Sequence, residues 1–153
     1  MNDTIVPADQ AVSEYGYRFE DLSVGMTASY ARTVAEGDIS LFAGVSGDDN
    51  PVHINDEFAR HTLFGGRIAH GVLTASYIST VLGTALPGPG CIYVEQNLRF
   101  KAPVRIGDTV RATVTVTGLI AEKRFVQLKT VCTVKGKVVI DGAATVMVPD
   151  RPR

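Results

Sequence analysis

The fold is set by the segment GVLTASYISTVLGTAL, which runs from Gly71 to Leu86. Its large apolar side chains project in nearly every direction around a helix, and a helix of that kind must be surrounded by protein. The segment is shorter than the ~20 residues that span a bilayer, and Pro87-Gly88-Pro89-Gly90 ends it. We therefore predict a buried central helix and no membrane span.

The chain beyond Gly90 has the composition and the period-two alternation of β-strands, rich in valine, threonine and isoleucine. Strands are predicted at residues 91–100, 109–119, 125–134 and 138–148. One earlier strand is predicted at residues 27–34. Short connections favour antiparallel neighbours. The sequence thus predicts an α+β domain, with a five-stranded antiparallel sheet wrapped around the central apolar helix.

Two further helices are predicted between the first strand and the central helix. Residues 35–45 have helical apolar spacing, with Glu36 and Asp38 near the start, where acidic groups suit the helix dipole. A brief helix capped by Asn55 or Asp56 is predicted to extend to His61. Residues 1–14 lack periodicity and are expected to be a flexible leader, which leaves residues 15–153 as the domain.

The charge and the cysteine content indicate which kinds of binding partner and which cellular compartment to expect. The formal net charge of -1 argues against a nucleic-acid binder, which would normally carry a concentrated basic face. Cys91 and Cys132 are too few for a disulfide framework, so a reducing cytoplasm is expected. The first ten residues hold no apolar core segment, so neither a signal peptide nor a membrane anchor is expected.

The segment VSGDDNPVH, from Val45 to His53, carries the candidate chemistry. Proline restricts itself and the residue before it, so Asn50 and Pro51 are predicted to end the upstream helix and to fix the loop. Asp48 and His53 could then converge on one bound water as a general acid and base. Taken alone, such a pair is more commonly a set of solvated turn residues.

The pattern Ser-Gly-Asp-x-Asn-Pro-x-His, with a downstream His-Gly, resembles the MaoC-like family of (R)-specific enoyl-CoA hydratases. The resemblance covers roughly residues 22–148 and implies the hotdog fold. It implies addition of water to trans-2-enoyl-CoA to give (R)-3-hydroxyacyl-CoA, and the reverse dehydration. A short-chain substrate such as crotonyl-CoA is expected, because bulky side chains such as Tyr77 and Ile78 could fill the acyl tunnel. Asp48 and His53 would activate the water, and Gly71 would supply the oxyanion contact.

The remaining site residues have structural alternatives. Asn50 is either an Asx-turn residue before proline or an amide that orients the loop or the water. Gly71 either presents a helix N-terminal N-H group to a thioester oxygen or eases a tight turn. A serine in a buried helix usually bonds back to the preceding turn. The resemblance nevertheless implies that His70 and Ser76 contact the substrate.

No metal or separate cofactor is expected. His53, His61 and His70 lack the spacing of a recognised zinc motif. The sequence has neither a Gly-x-Ser-x-Gly elbow nor a P-loop. Coenzyme A would enter only as part of the substrate, and its phosphates could be met by basic residues near turns. The candidates are Arg67, Arg99, Lys101, Lys123 and Arg124.

Three alternatives remain open at this stage. A hotdog acyl-CoA thioesterase would direct water onto the thioester carbonyl, and a non-catalytic acyl-CoA binding module would be expected to lack Asp48 or His53. An acyl-carrier-protein dehydratase would need a basic surface for its acidic partner. Because a single curved sheet leaves edge strands to protect, a homodimer or higher homo-oligomer is expected, and hotdog proteins commonly pair their sheets edge to edge.

Overall fold

The computed structural model describes residues 15–150, so the expected leader and residues 151–153 lie outside the described residues. The described helices are α1 (Glu36–Ser46), α2 (Pro51–Ile54), α3 (Asp56–Arg60) and α4 (Gly71–Thr84), with short 3-10 turns at Phe19–Asp21 and Ala121–Lys123. The strands are β1 (Thr27–Thr33), β2 (Ile92–Phe100), β3 (Thr109–Ile120), β4 (Phe125–Val134) and β5 (Lys137–Met147). The expected α+β class and the five-stranded antiparallel sheet are confirmed.

Helix α4 packs against β1, β3 and β4. Its buried face consists of Leu73, Thr74, Tyr77, Ile78, Val81 and Leu82. The opposite face is open in the single chain, because Val72 is 60% exposed and both Ser76 and Ser79 are exposed. Burial is therefore less complete than the sequence pattern predicts. None of the helices in residues 15–150 is both long enough and apolar enough to cross a membrane.

The central strands supply the other half of the core. Along β3, Val110, Ala112, Val114 and Val116 are buried, while the residues between them are exposed or half-buried. Successive strand side chains point to opposite faces, so this alternation turns one face of the sheet toward α4. Burying a side chain of valine size contributes about 1.5–3 kcal/mol.

The strand order is β1-β3-β4-β5-β2, which makes β1 and β2 the two edges. The predicted β3-β4 and β4-β5 neighbours are confirmed. The prediction is wrong for β2 and β3, since β2 pairs with β5. The connection between them crosses the sheet instead of turning back. Along it, the Val104 carbonyl accepts from Ala69 N at 2.7 Å, and Gly107 N donates to the Val34 carbonyl at 2.8 Å.

Helix α1 ends one residue beyond the predicted range of 35–45, but Gly47 ends it and not the Asn50-Pro51 pair. Gly47 adopts the left-handed conformation (φ 77°), and its N-H bonds to the Ala43 carbonyl at 2.9 Å. Glycine adopts this conformation at no steric cost, so Gly47 ends the helix. Pro51 instead opens α2, a short helix that was not predicted, where its fixed φ suits the first turn.

Helix α3 confirms the predicted cap at Asn55. The Asn55 side chain accepts a hydrogen bond from Phe58 N at 3.0 Å. Helices α2 and α3 therefore follow each other with one residue between them, and both are fixed at the start by an asparagine side chain. This compact region lies between α1 and the start of α4 along the chain, and it carries the candidate site.

Candidate active site

Asp48 lies in the short loop between α1 and α2, and its side chain is exposed. Ser46 Oγ accepts from Asp48 N at 3.1 Å, and Asp48 Oδ1 accepts from Asn50 N at 3.3 Å. Asn50 caps α2, because its Oδ1 accepts from Val52 N at 3.2 Å. The contact with Val52 N supports a structural role for Asn50. Hydrogen bonds between the side chains of Ser46, Asp48 and Asn50 and nearby backbone N-H groups fix the loop.

His53 is carried by α2 and is only 8% exposed. Its Nδ1 lies 2.8 Å from the Ile68 carbonyl oxygen. A carbonyl only accepts hydrogen bonds, so Nδ1 carries the hydrogen in the neutral ring and Nε2 keeps a lone pair. This hydrogen bond therefore favours the tautomer of His53 in which Nε2 can accept a proton.

His70 stands immediately before α4 and is 1% exposed. Its Nε2 lies 2.8 Å from the Asp48 carbonyl oxygen, so by the same reasoning Nε2 carries the hydrogen and Nδ1 has the lone pair. The ring packs against His53, with centroids 3.9 Å apart and planes inclined by 31°, and against Phe42, with centroids 4.7 Å apart and planes inclined by 56°. Among the described residues, His70 Nδ1 has no hydrogen-bond partner.

The structure brings Asp48, His53 and His70 together. One carboxylate oxygen and one ring nitrogen from each histidine all lie within 4.8 Å of one another. The convergence of Asp48 and His53 that was expected from the loop is therefore present in the fold. A carboxylate and an imidazole at this separation can share one water molecule. The same three residues also offer a set of metal ligands, which the spacing of the sequence did not indicate.

Gly71 opens α4 beside the ring of Phe100. A Cβ placed on Gly71 would lie 2.6 Å from Phe100 Cε1 and 2.7 Å from Cδ1, which is a steric clash. A larger residue at position 71 would therefore have to displace the aromatic ring, a contact that the sequence did not reveal. The Gly71 N-H belongs to the first turn of α4, where backbone donors lack intrahelical partners.

A pocket of about 430 Å³ opens at this helix terminus. Asp48, His70, Gly71, Thr74 and Lys101 contribute to its wall, and the apolar lining comes from Phe64, Ile68, Ala69, Val72, Phe100, Ala102, Pro103, Val104 and Ile140. The crossing segment between β2 and β3 thus supplies one wall. An apolar cleft with a few polar groups at one end is typical of a small-molecule site.

Ser76 lies outside this pocket. It borders a second groove on the open face of α4, together with Phe42, Ser79 and Tyr93. Its hydroxyl donates to the Leu73 carbonyl at 2.5 Å. The hydroxyl thus makes the expected bond to the preceding turn of the helix. In the single chain, Ser76 does not line the pocket that contains Asp48.

Arg67 forms hydrogen bonds with residues of this protein that the sequence did not predict. Its guanidinium donates to Glu36 at 2.6 Å and to Asp56 at 2.8 Å, and it lies 3.4 Å from the His53 carbonyl oxygen. These contacts raise the pKa of Arg67, and the guanidinium lowers the pKa of the Glu36 carboxyl. Arg67 therefore ties α1 and α3 to the residue that bears the candidate base.

The other candidate phosphate ligands lie in different parts of the structure. Arg124 pairs with Glu20 and Asp150, each at 2.9 Å, and Lys123 lies 5.8 Å from the ring centroid of Phe125. Lys101, by contrast, lies in the pocket wall. Of the five candidates, Lys101 is the one that lines this pocket.

The chain is similar to known proteins along most of its length. Residues 22–142 match the family described as the MaoC like domain. The chain is 62% identical to an (R)-specific enoyl-CoA hydratase of Rhodospirillum rubrum, over 94% of this chain and 98% of that protein. It is 50% identical to a 3-hydroxybutyryl-CoA dehydratase of Methylorubrum extorquens, over 87% of this chain and 85% of that one.

Solved structures give the same relationship. The (R)-hydratase from A. caviae, described as involved in PHA biosynthesis, superposes with a TM-score of 0.82 at 40% identity. The match covers 85% of this chain and 99% of that one. The shared fold, the match over residues 22–142 and the high identity lead to one conclusion, that this chain belongs to the MaoC-like family.

Proposed function

We propose that this protein is an (R)-specific enoyl-CoA hydratase, a hydro-lyase that adds water to short trans-2-enoyl-CoA thioesters and catalyses the reverse dehydration. The observation that carries the proposal is the convergence of Asp48 and His53 within 4.8 Å, beside a pocket at the start of α4. The names of its relatives, an (R)-specific enoyl-CoA hydratase and a 3-hydroxybutyryl-CoA dehydratase, support the same reaction.

The proposed chemistry begins with a water molecule between Asp48 and His53. The Nε2 lone pair of His53 accepts a proton from this water, and the Asp48 carboxylate orients it. The resulting hydroxide forms a bond to the β-carbon of the enoyl group while the double-bond electrons move toward the α-carbon. A proton from the same acid-base pair completes the α-carbon, so that one water is added overall.

Negative charge develops on the thioester oxygen as the hydroxide attacks. We assign the Gly71 N-H to this oxygen, because the first N-H groups of a 14-residue helix are free donors and carry partial positive charge. A donor aimed at the developing enolate stabilises the transition state more than the ground state. This role uses the backbone N-H of Gly71, whereas the contact with Phe100 lies on the side of Gly71 where a Cβ would be.

Acyl-CoA is the proposed substrate class, and coenzyme A enters only as part of it. The apolar lining accommodates the acyl group, and Lys101 is the cation at the pocket wall that could meet a phosphate. Asn50 and His70 are proposed to act through the loop, since the Asn50 side chain bonds to Val52 N and His70 bonds to the Asp48 carbonyl. Ser76 would reach substrate only from the groove on the open face of α4.

A homodimer is proposed as the working form. Edge strand β2 exposes Ile92, Tyr93 and Val94 by 41–48%, and Val72 of α4 is 60% exposed. These residues would be covered if two β2 edges paired, which would also remove an unprotected strand edge. Cytoplasmic location is proposed as well, because two cysteines in 153 residues are too few for the disulfide framework of a small secreted domain.

The test is to mix the purified protein with crotonyl-CoA and to follow the loss of the enoyl-thioester absorbance together with the stereochemistry of the product. We expect (R)-3-hydroxybutyryl-CoA and no free coenzyme A. Release of free coenzyme A would instead identify a thioesterase. Binding without turnover of any enoyl chain length would identify a binding module, and turnover of the acyl-carrier-protein thioester alone would identify a carrier-protein dehydratase.

A further inference from the structure

We propose that Asp48, His53 and His70 form a binding site for a divalent transition metal of the Zn²⁺ class, which inhibits the enzyme when it is occupied. The three side chains present two imidazole nitrogens and one carboxylate oxygen, all within 4.8 Å of one another. Imidazole ligands suit zinc, cobalt and nickel, whereas Mg²⁺ and Ca²⁺ prefer all-oxygen sites.

The first argument is the orientation of the two rings. His53 donates its Nδ1-H to the Ile68 carbonyl, and His70 donates its Nε2-H to the Asp48 carbonyl, both at 2.8 Å. Each neutral ring therefore keeps one lone pair, on His53 Nε2 and on His70 Nδ1. Histidine ligands in metal sites almost always donate their second N-H to a carbonyl or carboxylate in this way.

The second argument is the buried nitrogen of His70. The residue is 1% exposed, and its Nδ1 has no hydrogen-bond partner among the described residues. A buried polar atom without a partner costs about 1–3 kcal/mol. A metal ion would satisfy this lone pair, and neither histidine would have to lose a proton for the metal to bind.

The third argument concerns what must move. Ligand atoms around a tetrahedral zinc ion lie about 3.4 Å apart, given metal-ligand distances of about 2.0–2.1 Å. The set must therefore contract from its present separations of up to 4.8 Å. The Asp48 side chain is exposed and can close over the ion, while His70 is held between Phe42 and His53. We accordingly expect a reversible site rather than a permanent structural one.

Inhibition follows if the proposed function is correct, and this part of the inference rests on it. A bound metal would occupy the lone pair of His53 that is needed to accept the proton from water. The metal and the reacting water would then compete for the same ligands. Metal binding itself does not depend on turnover and can be measured without substrate.

The test is a titration of the intact protein with Zn²⁺ by calorimetry and with Co²⁺ by visible absorption. We expect one ion per chain and a cobalt spectrum of low-coordinate type, with no binding of Mg²⁺. The variants His53→Ala, His70→Phe and Asp48→Asn should each weaken zinc binding by about tenfold or more. His61→Ala and Asp49→Asn, whose side chains lie outside the three-residue set, should bind zinc like the parent.

The possible results distinguish failure of the metal site from failure of the proposed function. Absence of zinc binding, or binding that survives in all three site variants, would overturn the proposal, as would loss of binding in His61→Ala. Circular dichroism confirms that each variant is folded. If the parent also hydrates crotonyl-CoA, zinc should reduce the rate and a chelator should restore it. Zinc binding in a protein without hydratase activity would contradict the proposed function and leave the metal site standing.

Discussion

The Nε2 atom of His70 lies 2.8 Å from the carbonyl oxygen of Asp48, 22 residues earlier in the chain. This hydrogen bond ties the start of the central helix directly to the loop that carries the carboxylate. The His70 ring also packs on His53 at a centroid distance of 3.9 Å. One buried side chain therefore positions both members of the candidate acid-base pair.

The first prediction concerns this positioning role. His70→Phe keeps an aromatic ring between Phe42 and His53 but removes the hydrogen bond to Asp48. We expect kcat for crotonyl-CoA to fall by about 10–100-fold with little change in KM, because small displacements of catalytic groups are costly. Steady-state kinetics measure both constants, and His61→Phe is the control. An unchanged kcat in the folded variant would rule out positioning by His70.

The contact between Gly71 and Phe100 gives a second prediction. Gly71→Ala forces the new methyl group against the ring, but Phe100 is 55% exposed and can swing away. We expect a stability loss near the low end of overpacking costs, about 1 kcal/mol, measured by urea unfolding. The same change should cost less in a Phe100→Ala background. Equal costs in the two backgrounds would show that the ring is not responsible.

A third prediction follows from the ion pair between Arg67 and Glu36. Arg67 lowers the pKa of Glu36 below its ordinary value of 4.5. The unfolded chain therefore binds this proton more readily, so the stabilisation is present above pH 4.5 and is lost as the pH falls through the lowered pKa. Glu36→Gln should flatten the acid side of the stability profile as the pH falls below 4.5.

The measurement is the urea midpoint across that pH range, for the parent and for Glu36→Gln. Glu57→Gln removes another exposed carboxylate, on α3, and serves as the matched control. If the parent and Glu36→Gln lose stability in parallel on acidification, the ion pair makes no contribution to folding.

The fourth prediction tests the proposed dimer. Val94→Lys places a charge on edge strand β2, and edge lysines oppose strand pairing. We expect this variant to be monomeric by light scattering where the parent is dimeric. Ala31→Lys, at an exposed position on the opposite edge strand β1, should leave the dimer intact. A dimer that survives Val94→Lys and dissociates with Ala31→Lys would place the interface on the other edge.

Much of the fold could be predicted because it depends on local patterns. Alternation in residues 109–134 identifies β3 and β4, and the apolar helix is visible in the run from Leu73 to Leu82. The partner of β2 was not predictable, because alternation specifies which face is buried and not which strand lies alongside. The end of α1 was attributed to Asn50 and Pro51, although Gly47 is the residue that can adopt the left-handed conformation at a helix end.

The site was predictable only as far as its motif extends. Asp48 and His53 belong to one short segment, so their convergence could be inferred from the turn between them. The contacts of His70 with His53 and of the Phe100 ring with Gly71 join residues distant in sequence. The periodicity of apolar residues along the sequence does not predict such contacts. The same applies to Arg67, which looked like a phosphate ligand and instead bonds to Glu36.

The most direct measurement is the rate of crotonyl-CoA hydration by Asp48→Asn, His53→Ala and the double variant, with Asp49→Asn as the control for the neighbouring carboxylate. If Asp48 and His53 activate one water together, each single variant should lose nearly all activity, and the double variant should be scarcely slower than either. Asp49→Asn should retain the parental rate. Substantial activity in folded Asp48→Asn or His53→Ala would contradict the shared-water mechanism.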